Sequence, residues 1–531
     1  MNTLAEKLTQ PGKFLIGTEL VSTRCTLGDP RAARTVELAR DLVGHGHTDW
    51  VSITDNAGGN PMLSPTALGR MFLEAQREVV IHLSCKDFNR NALESEAWQL
   101  ASEGFNNLLV LSGDASAEGF NGGAKQVFDL DSVGLLTLLG RMNAGLDLTK
   151  PTSKKPIRLA PTNFFCGAAV TNFKLHENEV VPQLLKAEAK IAAGARFFIN
   201  QIGYDARKIH ELLAWLQQRG HGNVPLIGNV YVLTPGVARV FSSRRIPGVH
   251  ISEELLAECE KQGASPDKGR AFFLELAAKQ IAIYRGLGYR GAYLGGLHTV
   301  ADIDQVLTLE RGFAPGDWRQ FAREVRFSRP GEFFLYAEDA ATGLADSEKL
   351  NPAYAASRRE PPKTHNVTFS YRFSKFTHDV MFTPGKGLWN LGAKLCGGAR
   401  DTMQGPPGMH AVEHLGKSLM FGCKDCGDCS LPDIAFLCPE SSCAKNQRNG
   451  PCGGTRDGKC EVEDFECIWS RAYDRLKYEG REEQLLAHAP VIQNQALRGT
   501  SSWANTWLGR DHLTKLPTAN PSPAKPPQQL N

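Results

Sequence analysis

Short apolar runs alternate with longer helical segments along the first three hundred residues of the chain. The apolar runs predict eight strands, which read KFLIGTEL, DWVSIT, VVIHLSC, NNLLVLSG, IRLAPTNFF, ARFFINQ, PLIGNVYVL and GAYLGG. The segments TALGRMFLEAQRE, NALESEAWQLASEG, DSVGLLTLLGRMN and QLLKAEAKIAAGA predict helices between them. This alternation over residues 12–312 predicts an α/β fold, a closed (β/α)8 TIM barrel. An open doubly wound sheet is the alternative, which the lack of a GxGxxG motif after the first strand disfavours.

Polar residues stand at the carboxyl ends of five predicted strands. They are Glu19, Thr54, Asp55, His82, Ser84, Gly113, Asp114, Asn200 and Gln201. In a parallel barrel these strand ends meet at one mouth, where the chemistry takes place. One such residue alone is more often a helix cap or a hydrogen-bonded core residue. Five strand ends with polar residues predict a functional site.

Composition narrows the classes of partner. The chain has 531 residues and a net charge of +3, which argues against nucleic acid or a membrane surface as the main partner. The amino terminus has no basic head followed by an apolar run, and no apolar run approaches the length of a membrane span. We therefore expect a cytoplasmic protein, in which cysteines serve metal binding or catalysis rather than disulfides.

Eight cysteines are concentrated near the carboxyl end of the chain. They are Cys423, Cys426, Cys429, Cys438, Cys443, Cys452, Cys460 and Cys467. The first four follow the order C-x2-C-x2-C-x8-C-P, which is similar to bacterial ferredoxin runs with a longer last gap. Eight thiolates suit one or two [4Fe-4S] clusters, and zinc is the alternative. Spacing does not show which cysteines share a site. Cys396 lies outside the run, and we expect it to be a buried free thiol.

Several segments of the barrel region resemble a known family. FLIGTELVST, VSITDNAGG, IHLSCKD, NNLLVLSGD, VFDLDSV and KIAAGARFFINQIGYD resemble, in order and spacing, the methylenetetrahydrofolate reductase barrel over roughly residues 12–310. The segment NGPCGGTRDGKCEV resembles the cysteine-rich C-terminal domain that accompanies some members, over roughly residues 370–480. The resemblance implies a flavin in the barrel mouth that exchanges a hydride with the folate carbon unit.

The resemblance also implies catalytic roles for three residues. Glu19 matches the general acid that protonates the bridging nitrogen of methylene-folate, which requires a raised pKa. Asp114 matches the carboxylate beside the flavin and the pterin, and Gln201 matches the amide that recognises a pterin edge or a nicotinamide. A solvated or ion-paired Glu19 is the alternative.

Eight positions match flavin-lining residues of the family. They are Thr54, His82, Ser112, Gly113, Asp114, Phe128, Ala169 and Lys190, with Lys190 placed to meet a flavin phosphate. Two residues depart from the pattern, since Ser112 stands where better-known relatives carry Arg and Gln183 where they carry Asp. The resemblance implies FAD, with FMN as the alternative.

These features predict a flavin-dependent oxidoreductase that interconverts 5,10-methylenetetrahydrofolate and 5-methyltetrahydrofolate. Electrons come from NAD(P)H or from a ferredoxin-like one-electron carrier through the C-terminal clusters. A purely structural metal domain is the alternative for the cysteines. A folate-dependent methyltransferase and a non-catalytic electron-transfer or scaffold subunit are the alternatives for the whole chain. We expect a homo-oligomer.

The predicted organisation has four parts. Residues 1–312 form the flavin- and folate-binding barrel, 313–370 a connecting segment, and 371–485 the cysteine-rich iron–sulfur or zinc domain. Residues 486–531 form a mostly disordered tail, whose end PTANPSPAKPPQQLN is rich in proline and poor in apolar residues.

Overall fold

Eight parallel strands close into a barrel in the computed structural model, which describes residues 3–116, 118–148, 155–243, 246, 248–358, 360 and 365–515. The strands are Leu15–Leu20, Trp50–Ile53, Glu78–Ser84, Asn107–Leu111, Phe165–Val170, Phe197–Asn200, Leu226–Tyr231 and Gly291–Gly295. Each strand pairs with the next along the chain, and the first pairs with the eighth through Leu15 and Gly291. The predicted (β/α)8 barrel is confirmed.

Helices follow the strands and continue into the cysteine-rich region. Those of the barrel region are Leu4–Thr9, Ala33–Gly44, Pro65–Glu74, Arg90–Glu103, Ser132–Ala144, Glu177–Ala192, Ala206–Gln218, Pro235–Ser242, Glu253–Gly263, Arg270–Leu287 and Val300–Gly312. Those that follow are Trp318–Glu324, Pro352–Ser357, Phe369–Met381, Gly387–Gly397, Met409–Phe421, Pro439–Ser442, Ile468–Lys477, Ser502–Trp507 and His512–Lys515. The four helices predicted between strands are all present, with shifted ends.

The fifth strand differs from the prediction. The segment 157–165 was expected to be this strand, but the barrel strand is Phe165–Val170, and Ile157–Arg158 pairs instead with Asp147–Leu148 in a small antiparallel sheet. The real strand reads FCGAAV, and its small residues hide it from a search for large β-branched side chains. A Cβ at Gly167 would lie 2.2 Å from the Phe197 ring, so the barrel requires a small residue there.

Two apolar layers build the barrel. Residues such as Val51, Ile81 and Val110 point outward and pack under the helices. A separate inner cluster fills the lower half of the barrel and is closed below by the amino-terminal helix. It contains Leu4, Leu8, Leu15, Trp50, Val80, Leu109, Phe197, Ile199, Ile227 and Tyr293. Because side chains alternate along a strand, the next inward residue above Leu15 and Gly17 is Glu19. The apolar floor therefore leaves the upper half of the barrel to polar residues.

The chain beyond the predicted cysteine-rich domain folds back onto it. Residues 486–515 were expected to belong to a mostly disordered tail, but they include the helix Ser502–Trp507 and buried side chains. His512 lies between Asp428 and Asp433, with its ring nitrogens 2.6 and 3.1 Å from their carboxylates. These partners precede it by about eighty residues, which is why composition gave no sign of the contact. Residues 516–531 of the expected tail lie outside the described residues.

In the part of the chain that the structure describes, no helix combines the length and the apolar character that a membrane span requires.

Candidate active site and cysteine sites

Glu19 points into the barrel directly above its apolar floor. The hydroxyl of Tyr293, on the eighth strand, donates a hydrogen bond to Glu19 Oε1 at 3.4 Å. On the neighbouring second and third strands, Ser52 Oγ and His82 Nε2 lie 2.8 Å apart. Four polar side chains from four strands thus form one layer inside the barrel. The structure brings Glu19 and His82 into this layer, while sequence reasoning missed Tyr293 and Ser52.

Burial changes the protonation of this layer. Desolvation by the barrel walls raises the pKa of Glu19 to about 7, against a smaller lowering by the Tyr293 hydrogen bond. Burial also lowers the pKa of His82 to about 4, so its imidazole is neutral at neutral pH. Glu19 is therefore a carboxyl group that holds and releases a proton near neutral pH, as a general acid must.

The ends of the second and third strands are joined by hydrogen bonds. Asp55 Oδ2 accepts from the backbone N–H and the hydroxyl of Ser84, at 3.1 and 2.6 Å. Burial raises the pKa of Asp55, and these two bonds oppose the rise. Thr54 is buried, and its hydroxyl accepts from the backbone N–H of Ser22 at 3.4 Å. Sequence reasoning placed Thr54 and Asp55 at the mouth, and in the structure Asp55 binds the last residue of the third strand, Ser84.

The turn after the fourth strand carries Ser112, Gly113 and Asp114. Gly113 adopts a φ of +88°, and a Cβ there would lie 3.0 Å from the side chain of Lys86, so glycine suits the position. Burial raises the pKa of the Asp114 carboxyl, and the charge of Lys445 opposes that rise. This turn is one of the places where the barrel contacts the cysteine-rich domain.

Three further predicted positions lie on neighbouring elements. Phe128 is buried with a φ of +42°, and its ring centroid is 5.6 Å from Lys445 Nζ. Lys190 Nζ donates to the carbonyl of Ala169 at 2.6 Å, and burial lowers the Lys190 pKa to about 7. Gln201 follows the sixth strand, where its Oε1 accepts from the backbone N–H of Ile202 at 2.9 Å.

The eight cysteines of the carboxyl-terminal run form two sets of four. Cys423, Cys426, Cys429 and Cys438 line one small cavity, here called the first thiol set. Cys443, Cys452, Cys460 and Cys467 line another, here called the second thiol set. The first four cysteines of the run thus line one cavity and the last four the other, a division that the spacing alone did not reveal. Cys396 is buried elsewhere and packs with Ala504 and Trp507.

The loops around the thiols present backbone N–H groups to sulfur. Asp425 N donates to Cys423 Sγ, Gly454 N to Cys452 Sγ and Val462 N to Cys460 Sγ, each at 3.4 Å. Such bonds favour thiolate over thiol and are common around iron–sulfur clusters. Within the described residues, no three His, Cys, Asp or Glu side chains are arranged to hold a single metal ion. The four cysteines of each set are among the residues that line its small cavity.

The second thiol set lies against the barrel mouth. Lys445 and Gln447 line its cavity, and they also contact the turn after the fourth strand. Lys445 Nζ donates to the carbonyl of Gly113 at 2.8 Å, and Gln447 Oε1 accepts from Ser112 Oγ at 3.1 Å. One short segment therefore touches both the thiol cavity and the predicted flavin turn.

Buried charged groups fix the two domains together. Asp131 caps the helix Ser132–Ala144 and also accepts from the backbone N–H groups of Arg448 and Asn449, at 3.2 and 2.8 Å. From the barrel, Lys186 Nζ donates to the carbonyl of Gly450 at 3.1 Å. Sequence reasoning missed Asp131 and Lys186. A buried Asp at a helix start is an ordinary cap in sequence, and only the folded chain shows its second set of donors.

Comparison with protein families decides the identity of the barrel. A family model described as methylenetetrahydrofolate reductase matches residues 5–300. The chain belongs to the methylenetetrahydrofolate reductase family. A second model, described as methylene-tetrahydrofolate reductase C terminal, matches residues 407–495 and includes both thiol sets. For this methylenetetrahydrofolate reductase family member, the resemblance of the barrel and that of the cysteine-rich C-terminal domain are therefore both confirmed.

Two solved structures that are similar to this methylenetetrahydrofolate reductase family member have low sequence identity to it. A protein from Clostridium thermocellum that binds two copies of 5-methyl-5,6,7,8-tetrahydrofolic acid is 12% identical, with a TM-score of 0.41, and covers 58% of this chain and 97% of its own. Dihydropteroate synthase from Thermus thermophilus, solved with 6HMPPP, is 13% identical, with a TM-score of 0.31, and covers 57% of this chain and 95% of its own. Among curated proteins there is no match.

Proposed function

We propose that the protein is a flavin-dependent oxidoreductase that interconverts 5,10-methylenetetrahydrofolate and 5-methyltetrahydrofolate. The observation that carries the proposal is Glu19, an inward carboxyl with a pKa raised to about 7, inside a barrel of the reductase family. A bound flavin, FAD by preference over FMN, would supply the hydride chemistry.

Glu19 does the acid–base work in this proposal. In the reductive direction its carboxyl proton passes to the bridging nitrogen of the methylene group, and the C–N bond to that nitrogen breaks. The carboxylate left behind keeps the hydrogen bond from Tyr293. In the oxidative direction the same carboxylate takes the proton back from that nitrogen as the ring closes, so one residue serves both directions.

Asp114 and Gln201 bind the pterin in this proposal. The Asp114 carboxylate accepts hydrogen bonds from pterin nitrogens, and Lys445 favours its ionised form. The Gln201 amide has one donor and one acceptor for a pterin or nicotinamide edge. Both follow barrel strands whose carboxyl ends share the mouth with Glu19.

Residues on the helix Glu177–Ala192 fit the polar chain of a flavin. Gln183 is buried, and its Nε2 has no hydrogen-bond partner among the residues that the structure describes. Two turns along, Lys190 is a buried amine that donates to the Ala169 carbonyl, and burial lowers its pKa to about 7. An amide donor without an acceptor suits a ribityl hydroxyl, and a buried lysine would gain its full positive charge beside a phosphate.

The two thiol sets support one [4Fe-4S] cluster each. A cubane fills the volume between four thiolates, whereas a zinc ion draws four sulfurs to a single point. The second set contacts the barrel mouth through Lys445 and Gln447, which favours electron exchange with a flavin over a purely structural role. A ferredoxin-like carrier or NAD(P)H is then the source or acceptor of the electrons.

Anaerobically purified protein tests the proposal directly. We expect flavin absorbance together with iron, and bleaching of the flavin on addition of 5-methyltetrahydrofolate. Glu19→Gln should retain flavin and lose turnover. A protein that binds no flavin under these conditions would contradict the proposal. Conversion of 5-methyltetrahydrofolate without flavin would indicate the methyltransferase alternative.

A further inference from the structure

The turn after the fourth strand lacks a strong cation of its own. Ser112 stands where the resemblance to better-known reductases implies Arg. Lys86 packs beneath Gly113, but its ammonium is paired with the carboxylate of Asp87. Lys86 and Lys445 are both ion-paired with a carboxylate, and both oppose the raised pKa of Asp114, but Lys445 does so more strongly than Lys86.

Lys445 brings a cation to this turn from the other domain. Its ammonium donates to the carbonyl of Gly113 at 2.8 Å, and it lies 5.6 Å from the Phe128 ring centroid. It also forms an ion pair with Glu461, and the two side chains are only 4% and 8% exposed. A charge pair with so little exposure is weakly screened by salt and fixed in place.

Several charged groups lie around the Lys445 ammonium and determine its electrostatic effect on the turn. Asp114 faces it from the barrel, Glu461 and the Cys452 thiol of the second thiol set face it from the cysteine-rich domain, and Lys86 lies beyond Gly113. Glu461 Oε2 is buried without a hydrogen-bond partner among the described residues. Loss of the ammonium would leave two carboxylates facing each other across the predicted flavin turn, which is costly in a desolvated site.

We infer that Lys445 completes the cofactor site of the barrel, supplying from the cysteine-rich domain the fixed positive charge that the Ser112–Gly113–Asp114 turn lacks. This inference rests on the proposed flavin function. A cation beside the flavin stabilises its reduced, anionic form and makes the flavin easier to reduce, whereas Asp114 acts in the opposite direction. Lys445 also lines the second thiol cavity, so the same charge faces both redox sites.

Three single variants of the full chain test the inference. Lys445→Met removes the charge and keeps the length of the side chain, while Lys445→Arg keeps the charge. Lys394→Met changes an exposed lysine of the same domain and is the matched control. Flavin affinity, flavin midpoint potential at pH 8, iron content and thermal unfolding are measured for each.

The expected pattern separates an electrostatic role from a structural one. In Lys445→Met the ratio of reduced to oxidised flavin at a fixed potential should fall about tenfold, which is about 30 mV for a two-electron couple. Flavin affinity should fall as well, while Lys445→Arg and Lys394→Met stay close to the parent protein. An unchanged potential in Lys445→Met with bound flavin and full iron would overturn the inference.

The proposed function and this inference fail in different ways. If the parent protein binds no flavin, the proposed function itself is wrong. If the parent binds and reduces flavin but the potential is insensitive to Lys445, the function stands and the inference falls. If Lys445→Met loses iron or unfolds early, the comparison is made with Glu461→Gln, which keeps Lys445 and removes its partner. That variant should raise the potential, and a lowered one would also overturn the inference.

Discussion

The barrel and the cysteine-rich domain hold their chemical groups in opposite ways. Glu19 and His82 lie within regular strands whose backbones are fixed by pairing on both sides. The two thiol sets lie mainly on loops, and between residues 422 and 467 the helical structure consists of the 3-10 helix Pro432–Ile434 and the one-turn α-helix Pro439–Ser442. Strand pairing alone keeps the barrel site in shape, whereas loops that place four cysteines around a cavity would be stabilised by a metal group bound there, as proposed for the two thiol sets.

The difference has a thermodynamic consequence. The inner apolar cluster belongs to the barrel alone, whereas the outer one continues from the barrel helices into the cysteine-rich domain through Ile434, Trp469 and Tyr473. Around the thiols this core also contains buried charged side chains, among them Asp428, Arg448 and His512. Buried ion pairs contribute little net stability because their desolvation offsets their attraction. If the two thiol sets hold metal clusters, as proposed, the cysteine-rich domain should depend on them for part of its stability, and the predictions below probe that contrast.

The largest expected effect is the loss of one thiol. If each thiol set holds one cluster, as proposed, Cys443→Ser should lose about half of the bound iron, since Cys443 belongs only to the second set. Structural metal sites contribute on the order of 10 kcal/mol to small domains, so the cysteine-rich domain should unfold at a much lower temperature while the barrel transition stays. Iron analysis and calorimetry measure both effects.

Cys396→Ser is the control for this experiment. Cys396 is buried but belongs to neither thiol set, so its variant should keep all of the iron. Full iron content in Cys443→Ser, or an equal loss in Cys396→Ser, would contradict the assignment of the two sets.

The next effect is confined to the barrel. Glu19→Gln removes the ionisable proton but keeps the shape of the side chain, and turnover should fall about 10²–10⁴-fold, the usual contribution of a general acid. Glu211→Gln is the matched control, because burial also raises the pKa of Glu211 to about 7, but it lies on an outer helix. Steady-state turnover and flavin absorbance are measured together. Equal losses in the two variants would indicate a structural effect of buried carboxyls rather than catalysis by Glu19.

The sequence predicted most of the barrel but not the interface between the barrel and the cysteine-rich domain. Seven strands were found because large apolar residues mark them, while the fifth, FCGAAV, was missed because its small residues fit against neighbours such as Phe197. The strand ends identified the mouth, since parallel topology alone brings them together. Lys445 and Asp131 were not identified, because a contact between residues more than 300 positions apart leaves no periodic signal.

An intermediate effect on the free energy of unfolding is expected from Asp131, which lies at the interface between the barrel and the cysteine-rich domain. Asp131→Ala removes a helix cap, worth about 1 kcal/mol, and leaves the buried N–H groups of Arg448 and Asn449 unpaired, at about 1–3 kcal/mol. Asp131→Ser keeps a capping oxygen and loses the longer reach to the other domain. Denaturant unfolding should show a loss of about 3 kcal/mol for Ala and a smaller one for Ser. Identical losses would mean that the cap alone matters.

The smallest effect concerns the pH dependence of Glu19. The reductive reaction needs the protonated acid, so its rate should be highest below pH 7 and should fall as pH rises through the Glu19 pKa of about 7. The hydrogen bond from Tyr293 lowers that pKa. Tyr293→Phe removes this hydrogen bond and should raise the Glu19 pKa. The fall of the reductive rate with rising pH should therefore move to higher pH, by about half to one pH unit if the bond contributes about 0.5–1.5 kcal/mol.

Tyr289→Phe is the matched control, because its hydroxyl donates to the carbonyl of Ile209, outside the inner layer. Pre-steady-state reduction of methylenetetrahydrofolate measured across pH isolates the step that uses the proton. If the rate of Tyr293→Phe falls at the same pH as that of the parent protein, Tyr293 does not affect the Glu19 pKa. If the rate falls at a lower pH, the Tyr293 hydroxyl stabilises the protonated carboxyl. The sign of the shift therefore tells which protonation state of Glu19 the Tyr293 hydroxyl stabilises.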